Sequence, residues 1–279
     1  MSKLRVLDLF SGVGAYSLGL ERTGGFQTVA FCELEDYPRR ILRKHWPDVK
    51  IYEDVRELTG ARLAADGIVP DWIVGGWPCQ DISVAGTGSG LDGARSGLWG
   101  EIARLAGELR PRGLLLENSS NLLSINGGTD FGRVLGDLAA LGFDAEWHCL
   151  SASAFDAPHI RDRLWIVARR RGTSADAGDF GYKGTTGWRD ADQAHVAFSR
   201  GPIVGASGAR TATHANSHTQ IGSAIARRER HTWEPEPRVG RVVTGLANRA
   251  HRIAALGNLN PPIIPETIGR AMLAAQEAA

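Results

Sequence analysis

The chain has 279 residues, 43% hydrophobic and 23% charged, a balance that fits a globular protein and excludes the disordered and collagen-like classes. No apolar run reaches the roughly 18 residues that a bilayer-spanning helix needs, and the three cysteines, Cys32, Cys79 and Cys149, stand far apart without a CxxC pair, which argues against a disulfide framework or a structural zinc site. The net charge of +1 conceals a division: residues 1–168 carry 17 Lys/Arg against 22 Asp/Glu, whereas residues 169–260 carry 14 against 7 and five of the eight histidines.

MSKLRVLDLF runs straight into a strand-like stretch with no secretory signal, so a cytoplasmic protein is expected. The apolar run 4–10 predicts a strand, and SGVGAYSLGLE after it predicts a Gly turn and the start of a helix. A second strand is expected over 27–33, and DYPRRILRKHW carries helical periodicity. Residues 71–75 read as a short strand that breaks at Gly75–Gly76, and 76–97 read as a loop with many glycines and Pro78. LWGEIARLAGELRP is an amphipathic helix stopped by Pro111, and GLLLEN is a near-continuous apolar strand of the kind parallel sheets bury. DFGRVLGDLAALGF reads as a helix, AEWHCLSA and RLWIVARR as two further strands, and ETIGRAMLAAQEAA, after Pro261, Pro262 and Pro265, as a last helix. Strands alternating with helices of this length predict an α/β fold, a doubly wound Rossmann-like sheet. Between them, residues 171–245 are rich in Gly, Ser, Thr, Ala, Arg and His with weak periodicity, and are expected to form a small irregular second domain. The expected organisation is therefore an α/β domain over 1–170, a small second domain over 171–245 and a C-terminal segment, 246–279, that turns helical again.

Two places on such a sheet carry chemistry. Gly12-Val13-Gly14 follows the first strand and opens a helix, and Glu33 closes the second strand about twenty residues on, the layout of a nucleotide-binding βαβ unit in which an acid bonds ribose hydroxyls. A purely structural turn would show the same glycines. Ser17 stands where the dinucleotide pattern has its third glycine, which disfavours a pyrophosphate and leans towards S-adenosylmethionine. Phe10, beside the turn, suits either the adenine or sulfonium of that cofactor or ordinary core packing.

The second place is Gly75-Gly76-Trp77-Pro78-Cys79-Gln80, at the carboxyl end of a parallel strand, where open α/β sheets bind ligands. A lone cysteine is often just a small buried hydrophobe, but the Gly-Gly and Pro setting at a strand end favours a nucleophile, reactive as its thiolate. Glu117 ends the GLLLEN strand, and a parallel neighbour would bring it to the same sheet edge as Cys79, where partial desolvation lets a carboxyl hold a proton near neutral pH. Arg161 and Arg163 stand two apart, share a face in extended backbone, and suit a base carbonyl, a phosphate, the Glu117 carboxylate or a surface ion-pair set.

With these segments in view, the chain resembles the cytosine-5 DNA methyltransferase family. DLFSGVGAYSLGLE is similar to its first motif, FCELEDYP to its ribose-binding strand end, GGWPCQDIS to its Pro-Cys-Gln loop and LLLENSSNLL to its Glu-Asn strand end. FDAPHIRDRLWIVA resembles the Gln-x-Arg-x-Arg motif, and ALGNLNPPIIPETIGRAM the closing Gly-Asn motif. The six follow the family's order over 4–169 and about 246–275. Three departures stand out: His159 in place of the Gln, Ser119 after Glu117-Asn118 where valine is usual, and Leu259-Asn260 where a small residue and then valine are usual.

The resemblance implies methyl transfer from S-adenosyl-L-methionine to carbon 5 of a cytosine flipped out of double-stranded DNA, with 1–170 as the catalytic domain, 171–245 as a target-recognition domain and 246–279 as a segment that returns to the catalytic domain. It implies Cys79 as a nucleophile adding to carbon 6, Glu117 at N3, Arg163 on the cytosine O2, and Arg161 ordering Glu117 and the loop. Phe10, Gly12, Gly14, Glu33, Leu34, Asp54, Val55, Pro78, Leu98 and Asn258 match positions that bind the cofactor, and no metal is implied. The Gly-rich stretch 83–97 would close over the site. A monomer without membrane attachment is expected, with a cognate restriction endonuclease acting on the same sequence as a partner. The readings to be weighed against this are a tRNA cytosine methyltransferase, a non-catalytic DNA-binding relative and an NAD-dependent oxidoreductase.

Overall fold

A computed structural model describes residues 2–78, 98–157, 159–172, 255 and 257–277. Cys79, the expected loop over 83–97 and nearly all of the expected recognition domain lie outside the described residues. Seven strands form one sheet: β1 (Leu4–Leu9), β2 (Phe26–Cys32), β3 (Lys50–Tyr52), β4 (Trp72–Gly76), β5 (Gly113–Ser119), β6 (Phe143–Ser151) and β7 (Asp162–Arg170). They lie in the order β3-β2-β1-β4-β5-β7-β6. The chain winds outward from β1 to one edge, then restarts at β4 and winds to the other, so the order reverses between β1 and β4. In a doubly wound sheet that reversal opens a crevice at the carboxyl ends of the strands.

The helices are α1 (Ala15–Arg22), α2 (Asp36–His45), α3 (Gly60–Ala65), α4 (Trp99–Leu109), α5 (Thr129–Ala140) and α6 (Ile263–Glu277). Side chains of β1, β4 and β5 alternate between two cores, as a sheet covered on both faces requires. On one face Leu7, Leu9, Ile73, Leu114 and Leu116 meet Leu63 of α3, Ile102 and Leu105 of α4 and Val134 and Leu138 of α5. On the other, Val6, Val74 and Leu115 meet Tyr16 and Leu20 of α1 and Ile264, Ile268 and Met272 of α6. Helices α1 and α6 approach closely because residue 19 is glycine: a Cβ there would stand 2.2 Å from the Pro262 carbonyl oxygen.

The expected elements are present, with two additions and one reversal. The additions are β3, three residues long, and α3, six residues capped by the Thr59 hydroxyl, which accepts from the Arg62 N–H at 3.1 Å. The reversal concerns β7, which runs antiparallel to both β5 and β6. Ser119 pairs with Arg163 and Gly113 with Arg169, so β7 starts at the carboxyl edge of the sheet and ends at the amino edge. No helix among the described residues is long and apolar enough to cross a membrane.

Candidate active site

The turn after β1 is built from residues in the left-handed region: Phe10 at φ 53°, Gly12 at 54° and Gly14 at 86°. Glycine reaches that region without the strain a side chain brings, and Phe10 is a non-glycine exception held there by its surroundings. Glu33 sits at the carboxyl end of β2 and is buried. Its two oxygens accept the Gly12 N–H at 2.7 Å and the Glu35 N–H at 2.8 Å. Burial raises its proton affinity, and the two backbone donors oppose that rise. Each carboxylate oxygen keeps further acceptor capacity. Beside it Leu34 is 59% exposed, an apolar side chain standing in solvent at the sheet's edge. Phe10 and Leu98 are half-buried. A charged acceptor next to exposed apolar surface suits a nucleoside, whose hydroxyls need the one and whose flat ring needs the other.

Other positions expected at the cofactor differ in their surroundings. Asp54 is engaged by Arg56 at 2.6 Å, and that hydrogen bond holds its carboxyl below the usual carboxylate range. The Val55 side chain is buried in the core cluster that Phe10 and Leu98 also pack against. Asn258 is exposed, and its carbonyl accepts from Arg161 at 3.0 Å. Ser17, where the dinucleotide pattern needs glycine, donates its hydroxyl to the Asp8 carboxyl at 2.7 Å and ties α1 to β1. Asp8 is fully buried, which pushes its pKa up to about 8 against the opposing Ser17 hydrogen bond.

The second half of the site stands across β1 on β4 and β5. The strands pair so that Glu117 lies opposite Gly76, three residues before Cys79. Asn118 donates to the Trp77 carbonyl at 3.3 Å, joining the end of β5 to the backbone that leads into Pro78 and Cys79. Trp77 is buried, and its ring packs on Trp99 at 5.5 Å. The backbone that leads towards Cys79 is therefore anchored from two sides as far as Trp77.

Glu117 is 8% exposed and its carboxyl is held at both oxygens. Arg163, carried to the carboxyl edge by the reversed β7, donates through Nε to Oε1 at 2.9 Å. The Tyr16 hydroxyl donates to Oε2 at 3.0 Å. Burial raises the proton affinity of this carboxyl, while Arg163 first, then Asn260, Tyr16 and Arg161, favour the charged form. A Cβ at residue 76 would stand 2.3 Å from Glu117 Oε2 and 2.8 Å from the Tyr16 hydroxyl, so any residue larger than glycine there must displace one or both.

Arg161 and Arg163 divide their work. Arg161 turns to the segment before α6, donating to the Gly257 carbonyl at 2.8 Å, the Asn258 carbonyl at 3.0 Å and Asn260 Oδ1 at 3.1 Å. Asn260 in turn donates to the Tyr16 hydroxyl at 3.3 Å. Sequence patterns single out Asn260 only as a departure and pass over Tyr16. The available signal was a polar-tipped aromatic on the buried side of α1, which needs a partner for its hydroxyl. His159 is exposed. Among the described residues no cluster of His, Cys, Asp or Glu could hold a metal ion.

A doubly wound sheet with a glycine turn and a buried acid at the ends of β1 and β2, and a buried, arginine-held carboxylic acid on β5, defines a Rossmann-like protein. The chain belongs to the C-5 cytosine-specific DNA methylase family, whose model matches residues 4–200. It is 33% identical over 169 residues to the Type II methyltransferase M2.BsuMI of Bacillus subtilis (strain 168), an alignment that covers 59% of this chain and 42% of that protein. It is 34% identical over 166 residues to the Type II methyltransferase M.Eco47II of Escherichia coli, covering 59% of this chain and 39% of the relative. The chain thus spans less than half the length of these curated relatives. Among solved structures, one described as a DNA modification methyltransferase encoded within an E. coli prophage superposes with a TM-score of 0.52 at 28% identity, covering 60% of this chain and 47% of that one. A DNMT2 mutant of Spodoptera frugiperda superposes at 0.51 with 19% identity, covering 62% and 51%, a likeness of fold.

Proposed function

We propose that this chain transfers a methyl group from S-adenosyl-L-methionine to carbon 5 of a cytosine in double-stranded DNA, with Cys79 as covalent nucleophile. The observation that carries the reading is the register of β4 and β5: a buried carboxyl, Glu117, stands opposite Gly76 at the strand end that leads to Cys79. Bound S-adenosyl-L-methionine would supply an electrophilic methyl group. Phe10, Gly12, Gly14, Glu33, Leu34 and Leu98 would hold it, together with Asp54, Val55, Pro78 and Asn258 as family positions.

Carbon 5 of cytosine is a poor nucleophile. Cys79 thiolate attack at carbon 6 forms a C–S bond and moves the ring's electron pair to carbon 5, while the Glu117 carboxyl stabilises the ring by holding a proton at N3. Carbon 5 then carries enough electron density to accept the methyl group that bound S-adenosyl-L-methionine would supply, with S-adenosyl-L-homocysteine as the leaving group. A water removes the carbon-5 proton, the C–S bond breaks and Cys79 leaves as thiolate, which splits one hard step into easier ones. Arg163 reinforces the ring through O2 as well as through Glu117. The target atoms are inaccessible inside a duplex, so the base swings out into the crevice at a cost of a few kcal/mol. The basic stretch 171–245 supplies contacts to phosphates and base edges.

The test is radiolabelled methyl transfer to duplex DNA and to tRNA side by side, with bisulfite mapping of the product. DNA is the expected acceptor. Cys79→Ala abolishes transfer while leaving cofactor binding nearly intact, and duplex DNA containing 5-fluorocytosine traps a stable adduct with the unaltered protein. Turnover retained by Cys79→Ala would overturn the mechanism.

A further inference from the structure

Each polar group beyond the Glu117–Arg163 pair has a single direction. Arg161 Nε has only hydrogens to offer, so Asn260 Oδ1 accepts from it at 3.1 Å. That fixes the Asn260 amide, whose nitrogen points at the Tyr16 hydroxyl at 3.3 Å and donates to it. With a donor already on its oxygen, the Tyr16 hydroxyl aims its proton at Glu117 Oε2 at 3.0 Å. Arg163 holds Oε1 at 2.9 Å. The carboxyl is thus tethered at both oxygens by groups from different elements, α1 and β7, and the segment before α6 stands behind the first of them. The two inner members are buried, Asn260 at 3% and Tyr16 at 7% exposure, with the Tyr16 ring 5.4 Å from that of Trp165.

We propose that Tyr16 and Asn260 are positioning residues for Glu117, holding its carboxyl in the orientation that offers a proton to N3 of the target cytosine. The inference rests on the methyltransfer reading of the site. It gives Asn260, one of the departures from the family pattern, both a partner and a purpose, since residues 257–260 reach the catalytic acid through Tyr16. A valine at residue 260 has no hydrogen to give, and the Tyr16 hydroxyl would lose the donor that sets its direction. The ionisable and charged groups facing Glu117 among the described residues are Tyr16 of α1, Arg163 of β7 and Arg161 just before it. Asp8 of β1 acts on Tyr16 from behind. The donors Tyr16 and Asn260 both favour the carboxylate, so their loss moves the proton affinity of Glu117 upward.

The experiment uses the full chain and measures kcat, KM for cofactor and for duplex DNA, and the pH dependence of kcat/KM for the unaltered protein, Tyr16→Phe, Asn260→Leu and the double variant. Tyr16→Phe removes one oxygen and keeps the ring on Trp165, so thermal melting verifies its fold. A fall in kcat of about tenfold or more with little change in either KM is expected, as for loss of one hydrogen bond to a charged group. The pH limb set by Glu117 shifts upward in both single variants. The double variant loses less than the product of the two single losses, because the residues act as one unit. An unchanged kcat and pH profile in Tyr16→Phe, or strictly multiplicative losses, would overturn the inference while leaving the methyltransfer reading in place. No transfer by the unaltered protein, with cofactor and DNA both bound, would overturn both.

Discussion

Gly76→Ala is a one-carbon change whose effect follows from a single distance. The added Cβ would stand 2.3 Å from Glu117 Oε2. Carbon and oxygen need about 3.5 Å, so the carboxyl must retreat by about 1.2 Å or the strand end must move. Retreat breaks the alignment with Tyr16 at 3.0 Å and Arg163 at 2.9 Å. A misplacement of about 1 Å at a reacting group costs on the order of 10²-fold in rate, or about 2.7 kcal/mol in activation free energy. The steric insertion itself costs about 1–3 kcal/mol of stability, and at about 2–4 °C per kcal/mol the melting temperature falls by several degrees, which leaves the protein folded at assay temperature. The affinity for S-adenosylhomocysteine, measured by calorimetry, is expected to stay within about threefold, because Glu33 and Gly12 sit on the far side of β1. Single-turnover methylation of duplex DNA at saturating cofactor reads the rate directly. A rate within twofold of the unaltered protein would refute the placement of Glu117 as the acid that touches the ring.

Three further outcomes are expected. Glu33→Ala removes the acceptor of the Gly12 and Glu35 N–H groups and raises the Kd for S-adenosylhomocysteine by about tenfold or more in the same calorimetric assay; an unchanged Kd would remove Glu33 from the cofactor site. Arg161→Ala frees three acceptors in residues 257–260, so hydrogen exchange there rises by about tenfold and the melting temperature drops by a few degrees; exchange as slow as in the unaltered chain would show the segment held by other contacts. Asp8 keeps its proton up to about pH 8 when folded but gives it up near 3.8 when unfolded, so its contribution is complete below pH 4 and fades as pH rises through 8. Asp8→Asn, neutral at every pH, therefore gains stability relative to the unaltered protein between pH 5 and pH 8, as melting curves will show; parallel curves would sink that assignment.

Much of the fold is legible in the sequence because burial on both faces makes β1, β4 and β5 near-continuous apolar runs, and glycine or proline marks the ends of α4 and α5. Lys50–Tyr52 and Gly60–Ala65 are too short to show a period, and each is fixed by its neighbours. The direction of β7 leaves no trace in its pattern, since a strand buries the same residues whichever way it runs. That direction decides the arrangement: only the reversed strand brings Arg163, and Arg161 just before the strand begins, to the carboxyl edge. Glu117 and Arg163 were readable as strand-end charges, and the acid of β2 by its distance from the Gly turn. The separate errand of Arg161, the hydroxyl of Tyr16 and the close approach at Gly76 were not, because each depends on a partner brought near by folding rather than by spacing.

The Tyr16–Asn260 hydrogen bond joins residues 244 positions apart. At about 5–20 residues per second, a ribosome takes roughly 12 to 50 seconds to make the chain between them. Through that interval the emerging polypeptide owns every described strand of the sheet, and Glu117 both of its donors, before the amide that sets the direction of the Tyr16 hydroxyl exists. A chain broken off inside the long basic stretch would keep both donors to Glu117 but lack the Asn260 amide behind Tyr16, and with it the last helix that covers one face of the sheet.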